Sequence, residues 1–271
     1  MALLAELFDK LARFLSPSFM SFLQTLFLGS VSGLTVLLGM PLARFKAVQK
    51  GYLSFLNSLA VGVLFFLFVD IIEHAVGPVE LSLKDQTGDL GTLLIVLVVG
   101  FVIGLLSLVY YGRYYLRKDG GISHRQLALL IAVGIGLHNF SEGLAIGNSA
   151  LQGELKLALL LIIGFGLHNI TEAFGIAAPL SGKQSSWGFL ALTGLIAGGP
   201  NFLGTLIGYS YRSQTLSVLF LSLAAGAMMY VIGELLAVGR TFQSHAWSGW
   251  GLAVGFFLGL LTDLILVAAG A

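Results

Sequence analysis

Two copies of one polar motif interrupt a chain that is otherwise strongly apolar. The copies read His138-Asn139-Phe-Ser-Glu142 and His168-Asn169-Ile-Thr-Glu172, and they align without a gap. In an α-helix, residues four apart lie on one face and residues three apart are neighbours. Each copy therefore gathers an imidazole, an amide and a carboxylate on one side of a helix.

Imidazole and carboxylate groups together are ligands for Zn²⁺ and for neighbouring first-row divalent ions. The chain has no cysteine, so thiolate sites and disulfides are excluded and Cu(I) is disfavoured. An amide oxygen is a weak ligand, and a site that includes weak ligands can release its ion, as permeation requires. A hydrogen-bonded His–Glu pair that only holds two helices together is the alternative, but the matched second copy favours a metal site.

The composition places this motif in a membrane. Hydrophobic residues make up 57% of the chain and charged residues 10%, against about 25% charged in soluble domains, and the mean hydropathy is +0.94. The net charge of +1 gives no indication of nucleic-acid binding. A membrane helix needs about 20 mostly apolar residues. Eight stretches qualify: 18–40, 52–76, 90–112, 126–149, 155–179, 187–211, 214–238 and 249–269. The sequence therefore predicts an all-α polytopic membrane protein with eight transmembrane helices and a loop at 77–89.

The fourth and fifth spans carry the motif near their middles, and a very short connection makes them antiparallel neighbours. Facing copies would bring two imidazoles, two amides and two carboxylates into one cluster. An ionised carboxylate at the bilayer centre costs about 2.5–3.5 kcal/mol on insertion scales. Two of them need protons, partners or a cation, and this favours a mid-membrane metal site.

An even number of spans places both termini on one side of the membrane. The loops at 41–51, 113–125, 180–186 and 239–248 hold more Lys and Arg than the opposite loops and the N-terminal segment together. The positive-inside rule then places both termini outside. Residues 1–16 lack the basic start of a secretory signal and show apolar residues at helical spacing. We interpret them as an amphipathic helix on the membrane surface, with a disordered tail as the alternative, and residues 17–271 as the transmembrane domain.

At these motifs the chain resembles the ZIP family (Zrt- and Irt-like proteins) of divalent metal-ion transporters, in its bacterial and archaeal type. The resemblance covers the eight spans, the outside termini and the paired motif. It implies movement of Zn²⁺, or of Fe²⁺, Mn²⁺, Co²⁺ or Cd²⁺, toward the cytoplasm, with a bundle containing the fourth and fifth spans shifting like an elevator. It also implies a binuclear metal site lined by His138, Asn139, Glu142, His168, Asn169 and Glu172.

The chain departs from the family pattern at three places. Ser141 and Thr171 stand where many members have proline before the motif glutamate. A hydroxyl can partly mimic the proline by bonding a backbone carbonyl one turn back. Asn201 aligns with a glutamate that relatives offer to the second metal, so we expect that position to be weak. Better-studied relatives carry a histidine-rich loop between the third and fourth spans. In this chain that loop holds a single histidine, His124, so no metal-sensing loop is expected.

Other polar residues extend the possible pathway. Asp70, with Glu73 and His74, falls at the outer end of the second span and could attract cations, although a solvated helix end explains Glu73 and His74 equally well. Glu234 falls near the inner end of the seventh span as a possible exit ligand, with pairing to Arg240 as the alternative. Asn201, Asp70 and Glu234 are thus accessory candidates, whereas Asp263 receives no role.

The pattern predicts a carrier rather than an enzyme, with the metal as substrate and no prosthetic group. An intramembrane metal-dependent hydrolase with Glu142 or Glu172 as general base is one alternative, although the metalloprotease motif His-Glu-x-x-His is absent. A proton or monovalent-cation transporter is the other. The expected partners are divalent ions and the lipid bilayer, the oligomeric state is left open with a homodimer included, and the expected location is a prokaryotic cytoplasmic membrane.

Overall fold

The structure is a computed structural model. It describes residues 22–44, 49–85, 89–116, 122–151, 155–183, 185–210 and 213–268. The surface helix expected at residues 1–16 lies outside these residues and stays a prediction.

Eight helices of the described chain are long and apolar enough to cross a membrane, and no strand occurs among the described residues. They are α1 (Phe22–Leu34), α2 (Lys50–Asp85), α3 (Leu90–Tyr111), α4 (His124–Leu151), α5 (Leu155–Ala177), α6 (Trp187–Ser210), α7 (Gln214–Thr241) and α8 (His245–Ala268). A short helix, Val36–Gly39, and a 3-10 turn, Met40–Arg44, continue the span of α1. The predicted all-α class with eight spans is confirmed, whereas the outside placement of the termini stays a prediction.

The second span is longer than the sequence predicted. A loop was expected at 77–89, but α2 continues through Pro78 to Asp85. The added turns place Val79 against Leu93 of α3 and Val218 of α7, and all three side chains are buried. Since a proline costs a helix one hydrogen bond and a steric conflict, we attribute the continuation to this apolar contact.

Hydroxyl and carboxylate side chains mark where several helices begin. Ser123 and Gln126 form a capping box at α4, with each side chain bonded to the other residue's backbone N–H, at 3.3 Å and 2.9 Å. Asp89 caps α3 by accepting hydrogen bonds from the backbone N–H and the hydroxyl of Thr92. These bonds stabilise the ionised form and hold the pKa of the Asp89 carboxyl below its usual value. Such local signals explain why the helix starts follow from sequence.

Glycine allows α4 and α6 to approach with their backbones in contact. A Cβ at Gly204 of α6 would collide with the carbonyl oxygen of Phe140, and one at Gly143 of α4 would collide with that of Asn201. Small residues at such crossings let membrane helices pack closely. The contact fixes the part of α6 that carries Asn201 directly beside the first copy of the motif.

Candidate metal-ion site

The six motif residues lie together on the facing surfaces of α4 and α5. Each is buried, with no more than 6% of its surface exposed. Both motif copies lie in the interiors of their helices, and their i, i+4 spacing turns the histidine and the glutamate of each copy to the same side. The cluster that the sequence predicted is therefore present, and the role of these residues as metal ligands stays a prediction that the arrangement supports.

One carboxylate oxygen lies between the two imidazoles. Glu142 Oε1 is 2.5 Å from His168 Nε2 and 3.1 Å from His138 Nε2. Glu172 Oε1 lies 3.5 Å from the same nitrogen of His138. Ligand atoms around a tetrahedral ion bound at about 2.0–2.1 Å are themselves about 3.4 Å apart. One ligand atom from each of His138, Glu142 and His168 lies within 4.8 Å of the other two, so small side-chain movements would place them around one ion.

The side-chain amides of both motif copies donate hydrogen bonds through their nitrogens and leave their oxygens without a partner. Asn139 Nδ2 donates to the carbonyl of Ala197 in α6 at 3.0 Å, and Asn169 Nδ2 donates to the carbonyl of Ser32 in α1 at 3.2 Å. Each Oδ1 is then buried without a hydrogen-bond partner. A backbone carbonyl can only accept a hydrogen bond, so each amide must turn its NH2 group toward that carbonyl. The backbone of α1 and α6 therefore sets the orientation of both amides.

Glu172 adds further unsatisfied acceptors. Neither of its oxygens accepts a hydrogen bond of normal geometry, although the Asn139 side chain lies beside it. A buried polar group without a partner costs about 1–3 kcal/mol, and more when charged. Oxygen acceptors that converge without donors are what a bound cation would satisfy.

The hydroxyls that precede the two motif glutamates make matching hydrogen bonds. Ser141 Oγ donates to the carbonyl of His138, and Thr171 Oγ1 donates to that of His168, each at 2.7 Å. The expected bond one turn back is confirmed in both copies. It occupies the carbonyl of each motif histidine without removing a backbone N–H, as proline would.

The structure also places the accessory candidate Asn201. Its side chain is fully buried on α6, and its Nδ2 donates to Glu142 Oε2 at 3.4 Å. The amide therefore contacts the cluster through its nitrogen rather than through a ligand oxygen.

Asp70 lies toward the cluster from α2. Its carboxylate interacts electrostatically with His138, with His74 one turn on, and with Asp263 of α8. His74 has a side chain 67% exposed and lies 3.5 Å from the carboxylate of Asp70. The proximity of Asp263 to Asp70 was not predicted, because the pairing of α2 with α8 is not visible in the chain order. An isolated acidic residue in an apolar span was the only signal at Asp263.

Glu234 lies apart from the cluster. It is half-buried on α7 and hydrogen-bonds Tyr230 one turn back. Glu234 and Arg240 both belong to the described part of the chain, and they do not lie within ion-pair distance of each other. The pairing offered as an alternative is therefore not formed. Its role as an exit ligand stays a prediction.

A protein-family model matches this chain. The family model described as ZIP Zinc transporter matches residues 117–263, which is more than half of the chain and includes both motif copies, Asn201 and Glu234. No curated protein matches the chain.

Proposed function

The chain belongs to the ZIP zinc transporter family, and we propose that it carries Zn²⁺ and related divalent ions toward the cytoplasm through the cluster between α4 and α5. Members of this family are membrane transporters of divalent metal ions and not enzymes. The eight apolar helices agree with an integral membrane protein.

The observation that supports the proposal is the buried Glu142 carboxylate held between two imidazoles. With Glu172, it supplies two negative charges, which balance one divalent ion in a region where an uncompensated charge is costly. The imidazoles add nitrogen ligands of the kind that Zn²⁺ prefers. The cluster thus matches its cargo in charge and in donor type.

Protons and metal ions compete for the same atoms. A metal ligand must be an unprotonated imidazole nitrogen or an ionised carboxylate, so a proton on an imidazole or carboxylate of the cluster prevents that group from binding the ion. Entry of the ion therefore displaces protons, and its release returns them. The amide oxygens of Asn139 and Asn169 add weak ligands that ease the exchange.

Movement of the ion requires the cluster to face each side of the membrane in turn. We expect α4 and α5 to carry it as part of a bundle that shifts against the remaining helices, with α6 moving alongside because its backbone contacts α4. Asp70 would attract the ion on the outer side, and Glu234 would receive it on the inner side. The proposed location is a prokaryotic cytoplasmic membrane.

Flux measurements test the proposal. Purified protein in proteoliposomes is assayed for uptake of Zn²⁺, Fe²⁺ and Mn²⁺, and for proton and sodium flux. We expect metal uptake by the wild type and its loss in a His138→Ala, Glu172→Ala double variant. The matched control is a His245→Ala, Glu80→Ala double variant, which removes the same two residue types from exposed positions outside the cluster and should keep uptake.

The other results of this assay have specific meanings. Metal binding without flux, together with hydrolytic activity, would favour the intramembrane hydrolase. Proton or sodium flux without metal flux would favour a monovalent-cation transporter. Either result would overturn the proposed function.

A further inference from the structure

The cluster contains enough oxygen atoms for two ions. One position lies between Glu142 Oε1 and the two imidazoles. The remaining acceptors are Glu142 Oε2, the second oxygen of Glu172 and the unpaired amide oxygens of Asn139 and Asn169. A carboxylate can bridge a pair of ions about 3.5–4 Å apart, so the number of ions depends on what contacts Glu142 Oε2.

That oxygen is already bonded to a donor. Asn201 Nδ2 donates to Glu142 Oε2 at 3.4 Å, and both side chains are buried. An amide N–H presents its positive end to the oxygen, in the place where a second cation would bind. It carries no lone pair that could serve as a ligand in this orientation.

The carboxylate of Glu142 sets the orientation of this amide. An ionised carboxylate oxygen only accepts hydrogen bonds, so Nδ2 of Asn201, and not Oδ1, faces Glu142 Oε2. On its other side the amide neighbours Thr205, whose hydroxyl donates to the backbone carbonyl of Asn201 at 2.8 Å and lies 3.4 Å from Asn201 Oδ1. A Cβ at Gly29 of α1 would collide with the Thr205 hydroxyl, so this close helix contact also confines Thr205.

The charge balance of the cluster also favours a single divalent ion. Glu142 and Glu172 balance one divalent ion and leave nothing to balance a second. A carboxylate at position 201 would add a third negative charge, but the neutral amide does not. A second ion would leave two uncompensated positive charges in the membrane interior, where an unpaired charge is unfavourable.

We propose that Asn201 is a positioning residue that restricts the cluster to one divalent ion by donating its amide N–H to Oε2 of Glu142. The inference rests on the proposed function, because it concerns the stoichiometry of the same metal site. Glu142 then binds the ion through Oε1, while Asn201 fixes Oε2.

Metal stoichiometry tests this role. Purified full-length protein is equilibrated with Zn²⁺ and its bound zinc is counted, and the same samples loaded with Mn²⁺ are examined by electron paramagnetic resonance. We expect one zinc per chain in the wild type and two in Asn201→Asp, which keeps the side-chain shape. The manganese spectrum should change from that of an isolated ion to that of a spin-coupled pair, which a merely structural role would not produce.

Two further variants complete the design. If Asn201→Asp cannot be purified as a monodisperse protein, Asn201→Glu is used in the same experiment. It should also bind two ions. Asn57→Asp places a carboxylate at an equally buried amide outside the cluster and should still bind one.

The outcomes separate the two proposals. Two ions in the wild type, or one ion in folded Asn201→Asp and Asn201→Glu, would overturn the role of Asn201 and leave the transport function standing. A wild-type protein that binds no ion would overturn the proposed function and this inference with it.

Discussion

Replacing Glu142 by glutamine isolates the charge at the centre of the cluster. The substitution keeps the side-chain shape but removes the negative charge that lies within 3.1 Å of both imidazoles. One divalent ion would then face a single carboxylate, Glu172, and leave one positive charge unbalanced. Such a charge costs about 2.5–3.5 kcal/mol at the helix centre on insertion scales, and each 1.4 kcal/mol is about tenfold in affinity. We therefore expect the Kd for Zn²⁺ to rise about 100-fold.

Isothermal titration of detergent-purified protein with Zn²⁺ at pH 7.5 measures this effect. The matched control is Glu80→Gln, which removes an exposed carboxylate of α2 outside the cluster and should change the Kd less than about threefold. A Glu142→Gln protein that is folded and binds Zn²⁺ with an unchanged Kd would refute the assignment of Glu142 as the central ligand.

Three other perturbations test separate parts of the structure. Zinc uptake should increase from about pH 5.5 to about pH 7.5, because protons and zinc compete for the imidazole nitrogens and carboxylates of the cluster; equal uptake across this range would contradict proton competition at the cluster. Gly204→Ala should lower the thermal midpoint strongly, since its Cβ would meet the Phe140 carbonyl, whereas Gly188→Ala, where nothing lies within 4 Å, should not; equal midpoints in a thermal-shift assay would refute the close α4–α6 contact. Asp70→Asn should slow initial zinc uptake at low salt while leaving the equilibrium Kd nearly unchanged, because a long-range charge steers ions toward a site; a larger effect on Kd than on rate would instead make Asp70 a ligand.

The main features of the candidate site could be predicted from sequence because they are local. Helical spacing places His138 and Glu142 on one face, and the short link between the fourth and fifth spans makes the two motif copies face each other. The hydroxyl bonds of Ser141 and Thr171 also depend only on the preceding turn. Local patterns of this kind are preserved when the helices pack.

Contacts between distant helices could not be predicted. The amides of Asn139 and Asn169 bond backbone carbonyls of α6 and α1, and no side-chain pattern marks a carbonyl as a partner. The direction of the Asn201 amide depends on the carboxylate of Glu142 and on the close approach of α6 to α4. In the same way, the extension of α2 beyond Pro78 depends on contacts with α3 and α7.

The central claim is that the ion in transit binds between α4 and α5. Anomalous diffraction at the zinc edge from crystals of the zinc-loaded protein tests it most directly. We expect a zinc peak at about 2.0–2.2 Å from nitrogen and oxygen atoms of His138, His168 and Glu142. A cluster without a zinc peak, in crystals where zinc binds only near Asp70 and His74, would contradict the claim.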